Sequence, residues 1–97
     1  MPKGYWITFY RSIQDPAALA EYGELARKLV EAGGGKFLAR GVPARTYEAG
    51  LKERAVVIEF PSLEAAIATF ESPPYQTAAR LLLGKVERDI RFLEGTT

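Results

Sequence analysis

Glu59 is the titratable residue whose surroundings most strongly suggest a functional site. It lies inside the most apolar segment of the chain, between Ile58 and Phe60. A carboxylate in such surroundings loses its water, which raises its pKa unless a cation or hydrogen bonds compensate. A carboxyl group of this kind can transfer a proton, so the sequence makes Glu59 a candidate catalytic acid or base.

Other segments supply partners for this carboxylate. Arg40 ends a second apolar segment and is expected on the strand beside Glu59, while Trp6, Thr8 and Tyr10 alternate along the first segment. An arginine, a carboxylate and a phenol in an aromatic pocket could bind a small polar or anionic ligand, or move a proton. The alternative is a buried ion pair that only fixes strand register or a dimer. The sequence leaves both interpretations open.

Tyr75 and Trp6 each allow two interpretations, one in ligand binding and one in structure. Tyr75 follows Ser72-Pro73-Pro74, a segment that could form the rim of a ligand-binding site or simply break a helix. Trp6 could stack on a ligand or anchor an interface, because aromatic anchors dominate interface energies. We therefore take Trp6, Thr8, Tyr10 and Tyr75 as candidate ligand-binding residues.

The composition excludes several classes of site. The chain has neither cysteine nor histidine, which argues against disulfides, iron–sulfur clusters, zinc or haem sites and Ser-His-Asp catalysis. We expect no metal and no cofactor. A net charge of +1 offers no basic field for nucleic acid. No apolar run reaches the length of a membrane span, and the first residues lack the pattern of a signal peptide, so a cytoplasmic protein is expected.

The elements that must position these residues follow the order β-α-β-β-α-β. A chain of 97 residues forms one domain, over 1–97. Strands are predicted at 4–11, 36–40, 55–60 and 86–93, with residues 45–48 a possible continuation of the second. Asp15-Pro16 and Pro61-Ser62 predict helix starts, and Pro73 splits the second helix. The pattern predicts a ferredoxin-like α+β fold: a four-stranded antiparallel sheet with both helices on one face.

The first strand has no polar face, and this predicts an assembly. Side chains alternate across a strand, so the two faces of this segment carry different residues, and both sets are mostly apolar. Helices cover only one face of the sheet, so a partner must cover the other. We expect a homodimer that forms a dimeric α+β barrel. We assign Trp6, Thr8, Tyr10, Val57 and Glu59 to the bare face, and Ile7, Ile58 and Phe60 to the face under the helices.

The chain also resembles the family named domain of unknown function 1330. The resemblance is carried by Lys3-Gly4-Tyr5-Trp6, Asp15-Pro16, Gly35-Lys36-Phe37-Leu38-Ala39-Arg40-Gly41, Ile58-Glu59-Phe60-Pro61-Ser62 and Ser72-Pro73-Pro74-Tyr75-Gln76. It implies a dimeric α+β barrel but no defined chemistry. The wider group includes cofactor-free monooxygenases, muconolactone isomerases, haem-degrading enzymes and chlorite dismutases. The haem-dependent relatives typically use histidine, which this chain lacks.

Two functions therefore compete. The first is a small homodimeric protein that binds a small molecule in or beside the barrel, or merely assembles. The second is a cofactor-free enzyme, like a monooxygenase or isomerase, acting on a small aromatic or carbonyl substrate. In that case Glu59 would be the acid or base, and Arg40 or a tyrosine would stabilise an anion. A dry, filled barrel interior favours the first function, and a pocket that is lined by Glu59 and Arg40 and holds an anion favours the second.

Overall fold

Four strands and three α-helices alternate along the chain in the computed structural model, which describes residues 2–96. They are β1 (Gly4–Ile13), α1 (Pro16–Ala32), β2 (Lys36–Gly41), β3 (Ala55–Phe60), α2 (Leu63–Glu71), α3 (Pro73–Ala79) and β4 (Val86–Glu94), with a 3-10 helix at Arg80–Leu82. The strands form one antiparallel sheet in the order β2-β3-β1-β4. This confirms the ferredoxin-like prediction, although residues 45–48 form no strand.

Side-chain caps begin the first two helices where the sequence predicts them. The Asp15 carboxylate accepts a hydrogen bond from the Ala18 amide at 3.0 Å, and the Ser62 hydroxyl accepts one from the Ala65 amide at 3.1 Å. Each bond satisfies a donor that the first helical turn leaves free. None of the helices within residues 2–96 is long and apolar enough to cross a membrane.

The predicted break after α2 is also present. Ser72 is extended, with φ −65° and ψ 145°, because the residue before a proline avoids helical geometry. The interruption frees carbonyls at the end of α2. The Ser72 hydroxyl donates to the Thr69 carbonyl at 2.7 Å, and the side-chain amide of Gln76 donates to the Phe70 carbonyl at 2.6 Å. Side chains thus replace the backbone bonds to Thr69 and Phe70 that Pro73 and Pro74 cannot donate.

The assignment of residues to the two faces of the sheet was partly wrong. Trp6, Thr8 and Tyr10 are only 2–4% exposed and lie under the helices, not on the bare face. The opposite set, which includes Ile7 and Phe9, lies on the face without helices. Register decides this, because Trp6 pairs with Ile58 across the sheet and directly paired residues share a face.

Gly4 brings a helix close to that covered face. A Cβ at Gly4 would lie 2.5 Å from the Leu63 backbone, so only glycine lets the start of α2 pack directly on β1. Gly4 has the same parity in β1 as Trp6, and both therefore face the helices. The Trp6 ring contacts four other aromatic rings, with centroids 5.0–6.3 Å away, from Phe60, Phe70, Tyr75 and Phe92.

We predict that Trp6→Ala lowers the free energy of unfolding by about 3–5 kcal/mol, the cost of an unfilled cavity at a large buried aromatic residue. The measurement is guanidinium denaturation at a fixed protein concentration. Leu83→Ala is the control, because Leu83 is 74% exposed and should have little effect. If Trp6→Ala weakened self-association but left the free energy of unfolding unchanged, Trp6 would lie in an interface and not in the core, which would contradict the prediction.

The face without helices, here called the open face, is largely apolar. Partly or fully exposed apolar side chains line its centre, and charged groups lie toward its margins. The register places on it Tyr5, Ile7, Phe9, Ala39, Ala55, Val57, Glu59, Asp89, Arg91 and Leu93. Phe9 and Leu93 remain 45% and 55% exposed. Glu59 and Val57 share this face as predicted.

Candidate functional site

A cavity lies between α1 and the covered face of the sheet. We call it the inner chamber; its volume is about 70 Å³. Its walls are mostly aromatic and aliphatic, with a few polar groups. They include Trp6, Thr8 and Tyr10 from β1, Tyr22, Ala26 and Val30 from α1, Phe37 from β2, Val56 and Ile58 from β3, and Arg88 from β4. Small-molecule sites commonly have such walls, with few polar groups that fix orientation.

Local sequence periodicity builds these walls. The residues Tyr22, Ala26 and Val30 are four apart along α1, so they form one helical face that meets the sheet. On β1, Trp6, Thr8 and Tyr10 alternate with open-face residues and all point toward that helix. The Trp6 indole donates to the Thr8 hydroxyl oxygen at 3.0 Å, which leaves the hydroxyl hydrogen of Thr8 available as a donor.

Arg88 lines the inner chamber, as Arg27, Arg40 and Arg54 also do. Its Nη1 donates to the Tyr22 hydroxyl at 3.1 Å and to the Tyr75 hydroxyl at 3.2 Å, and these two hydroxyls are hydrogen-bonded to each other. We call these three residues the Arg88 cluster. Within residues 2–96, no carboxylate lies within salt-bridge distance of Arg88, although its side chain is half-buried. The guanidinium therefore has neutral phenols for partners rather than a counter-ion.

The surroundings keep the Tyr22 phenol protonated. Burial raises the pKa of Tyr22, and the adjacent Tyr75 raises it further despite the opposing charge of Arg88. Burial also raises the pKa of Tyr10 in the same chamber. Burial lowers the pKa of Arg88. The neighbouring Tyr75 and Tyr22 hydroxyls raise it by more, so the pKa stays above the ordinary value. At neutral pH the cluster carries one positive charge.

The hydrogen bonds within the Arg88 cluster leave one tyrosine hydroxyl hydrogen free, besides the remaining N–H groups of Arg88. Arg88 donates to both tyrosine oxygens, so only one of the two hydroxyls donates within the pair and the other keeps a free hydrogen. Tyr75 is fully buried, whereas Tyr22 lines the chamber. Either hydroxyl can donate in the pair, and when Tyr75 donates, the hydrogen of Tyr22 is left for an acceptor in the chamber. An acceptor atom there would meet Tyr22, Thr8 and Arg88.

The structure separates the residues that the sequence predicts as one site. Trp6, Thr8, Tyr10 and Arg40 line the inner chamber, and Tyr75 supports it from behind through its hydroxyl. Glu59 lies on the opposite face of the sheet. The sequence predicts Arg40 or a tyrosine as the partner of Glu59, and in the structure the partner is a tyrosine, Tyr5.

Glu59 is held on the open face by two neighbours. The Tyr5 hydroxyl donates to its carboxylate at 3.2 Å, and the Lys3 ammonium lies 3.7 Å away. The hydrogen bond to Glu59 raises the pKa of the Tyr5 phenol. Arg40 instead packs over the Phe37 ring at 4.8 Å, so Glu59 and Arg40 do not act on one ligand within a single chain.

Sequence reasoning missed Arg88 and Tyr22 as site residues. Arg88 stands in a run of charged residues with Asp89 and Arg91. The last two do pair at 2.9 and 3.1 Å on the open face. Arg88 points the other way, because it shares its parity with the apolar residues Val86, Ile90 and Phe92 of β4. That parity was a usable signal in the sequence.

Comparison with known proteins agrees with this fold. The family model described as domain of unknown function DUF1330 matches residues 3–96. The chain belongs to this family. Among curated proteins, none matches the sequence.

Solved structures also resemble the chain. A protein of unknown function from Rhodopseudomonas palustris has a TM-score of 0.73 at 17% identity, covering 99% of this chain and 84% of that one. A dimeric ferredoxin-like protein of unknown function from Thermobifida fusca has a TM-score of 0.66 at 18% identity, covering 96% and 91%. SnoaB, a cofactor-independent oxygenase from Streptomyces nogalater, has a TM-score of 0.64 at 11% identity, covering 100% and 96%. At these identities the likeness establishes the fold alone.

Proposed function

We propose that this family member is a homodimeric small-molecule-binding protein whose ligand places an acidic group against the Arg88 cluster. The observation that carries the proposal is the charge of Arg88, which points into an apolar chamber with no carboxylate partner among residues 2–96. A charge removed from water is costly unless it is paired. An anionic ligand supplies the missing counter-ion.

The donors around Arg88 support binding of an acid rather than a base. The free hydrogens of Tyr22 and Thr8 and the remaining N–H groups of Arg88 are all donors. A carboxylate offers only acceptors, so it complements this set, and its hydrogen bonds to the guanidinium are charge-assisted. Trp6 and Phe37 supply apolar walls for the rest of the ligand.

The size of the inner chamber limits what it holds. An engineered cavity of about 150 Å³ binds benzene, and this chamber has about half that volume. The chamber therefore suits an acidic group with a few adjoining carbons. A larger ligand extends through the opening beside α1.

The dimer belongs to the same proposal, with the open face as its interface. Ile7, Phe9 and Val57 form an apolar centre on that face that helices leave uncovered. Such a patch is typical of an interface. Two neighbours, from Thermobifida fusca and Jannaschia, are described as dimeric ferredoxin-like proteins. In this dimer Glu59 would lie between the two sheets rather than in the inner chamber.

The proposal predicts that carboxylates bind and that their uncharged analogues do not. Calorimetry should detect benzoate or hexanoate, while benzamide and hexanamide should bind at least about tenfold more weakly, because they lose charge-assisted bonds to Arg88. Each pair has nearly equal size and shape, so the comparison isolates the charge. Equal affinity for acid and amide would contradict the proposal.

A cofactor-free enzyme is the second candidate. It is supported by the fold likeness to SnoaB, described as a cofactor-independent oxygenase. The Arg88 cluster would also stabilise an enolate or phenolate formed in a bound substrate, as donors aimed at a developing charge do. The residues lining the inner chamber include no aspartate or glutamate. Glu59 could act as acid or base only on a substrate at the open face. Turnover of a bound acid would distinguish this candidate from binding alone.

A further inference from the structure

A wider groove lies outside the inner chamber. Its volume is about 460 Å³, and five of its lining residues also line the chamber, so the two spaces adjoin. We call it the entrance groove. The shared residues are Leu19, Gly23, Arg27, Arg40 and Arg54. A ligand that exceeds the chamber has to lie partly in this groove.

Three arginines from separate elements converge on the entrance groove. Arg27 comes from α1, Arg40 from β2, and Arg54 from the residue before β3. Glu24 is the one carboxylate among the groove's lining residues. The three guanidinium groups repel each other, and the single carboxylate balances only one of their charges. An anion bound between them would reduce this repulsion.

These arginines have few partners within the chain. Arg27 contacts Glu31 at 3.5 Å, but both side chains are substantially exposed and such pairs contribute little. Within the described range, no carboxylate lies within salt-bridge distance of Arg40 or Arg54. Arg40 instead rests on the Phe37 ring, which leaves the edge of its guanidinium free to donate.

Gly23 keeps the passage between groove and chamber open. It occupies the interior of α1, where glycine makes a helix less stable than alanine does. A Cβ at this position would meet no atom within 4 Å, so packing does not require a glycine. Because Gly23 lines both spaces, the absence of its side chain widens the path between them.

We infer that the entrance groove binds a second anionic group of the same ligand, so the preferred ligand class is an acid with two anionic ends and an apolar middle. This inference rests on the proposed function, which places the first anionic group at Arg88. The second group then lies among Arg27, Arg40 and Arg54. The apolar middle lies between Leu19 and the chamber walls.

A series of dicarboxylic acids tests the inference. Succinate, glutarate, adipate, pimelate and suberate differ only in the number of methylene groups, and each is compared with its monomethyl ester by calorimetry. The ester keeps the chain length but removes one charge. At least one diacid should bind about tenfold or more tightly than its ester, with a maximum at one chain length, because only that length reaches both sites.

Single variants locate the second group. Arg27→Ala, Arg40→Ala and Arg54→Ala should each weaken binding of that diacid more than binding of its ester, and so reduce the advantage of the diacid. Arg45→Ala is the matched control, because Arg45 is exposed and lines neither space. Gly23→Leu should weaken both ligands while the helix remains folded, since leucine is the better helix former.

The outcomes separate this inference from the proposed function. Binding of the esters, but no diacid tighter than its ester, would overturn the inference and leave the proposed function intact. Failure of the esters and of benzoate and hexanoate would overturn the proposed function. A tighter diacid whose advantage survives all three arginine variants would also overturn the inference, because the second charge would then bind elsewhere.

Discussion

Replacing Arg88 with methionine should weaken binding of a small carboxylate about 10- to 100-fold, the range expected when charge-assisted hydrogen bonds are lost. The same change should alter the free energy of unfolding only slightly. It removes the desolvation cost of a half-buried guanidinium, but it also removes the hydrogen bonds from Arg88 to the Tyr22 and Tyr75 hydroxyls, and it breaks no ion pair. Methionine fills the space of the aliphatic stem, and Tyr22 and Tyr75 keep the bond between their hydroxyls.

Arg91→Met is the matched control for this experiment. Arg91 lies on the same strand but faces the other way and pairs with Asp89. It should change neither carboxylate affinity nor, beyond a small amount, stability. Calorimetry and guanidinium denaturation measure the two quantities on each variant. A loss of stability with unchanged binding in Arg88→Met would make the Arg88 cluster purely structural and would contradict the proposed function.

Phe9→Lys should convert the proposed dimer to a monomer. Phe9 lies on the open face, 45% exposed, and a dimer through that face would bury it. Two lysines brought together in a symmetric interface would add unpaired charge where apolar contacts were lost. In the monomer the lysine is tolerated, because it faces water and lies opposite Asp89. Light scattering should show the mass falling from about twice 10.7 kDa to 10.7 kDa.

Leu25→Lys supplies the control for the dimer. Leu25 is also 45% exposed, but it lies on α1, away from the open face. It should leave the mass unchanged. A wild-type chain that is monomeric at micromolar concentration, or a dimer that persists in Phe9→Lys and dissociates in Leu25→Lys, would contradict the assignment of the open face as the interface.

Local chemistry made the order and ends of the elements predictable. Asp15, Ser62 and Pro73 act through hydrogen bonds and ring sterics that involve residues at most a few positions away. The fold class followed from the alternation of such elements. The tertiary contacts of a side chain do not enter these arguments, so they succeed from sequence alone.

The choice of covered face could not be read from β1, because both sets of its side chains are mainly apolar. Shifting the register by one residue exchanges the two faces of a strand. Gly4 indicates which face is covered. Its lack of a side chain lets α2 pack against β1, and it lies on the same face of the strand as Trp6. A glycine at a strand position is ambiguous until the helix above it is known.

Arg40 shows how a small irregularity moves a candidate residue. Regular alternation from Phe37 would place Arg40 on the open face with Glu59. The register between β2 and β3 shifts between Phe37 and Ala39, which pairs Arg40 with Val56 on the covered face. A β-bulge of this kind redirects the side chains that follow it. The sequence predicted both residues as candidates, but this bulge assigns them to different spaces.

The position of a bound carboxylate tests the central proposal most directly. A crystal structure of the protein with benzoate or hexanoate, whichever binds more tightly, should show the carboxylate within hydrogen-bond distance of the Arg88 guanidinium and the Tyr22 hydroxyl. The first carbons of its hydrocarbon part should contact the apolar chamber walls, and the rest should extend toward the opening beside α1. A carboxylate bound instead on the open face beside Lys3 and Tyr5, with the inner chamber empty, would contradict the proposal.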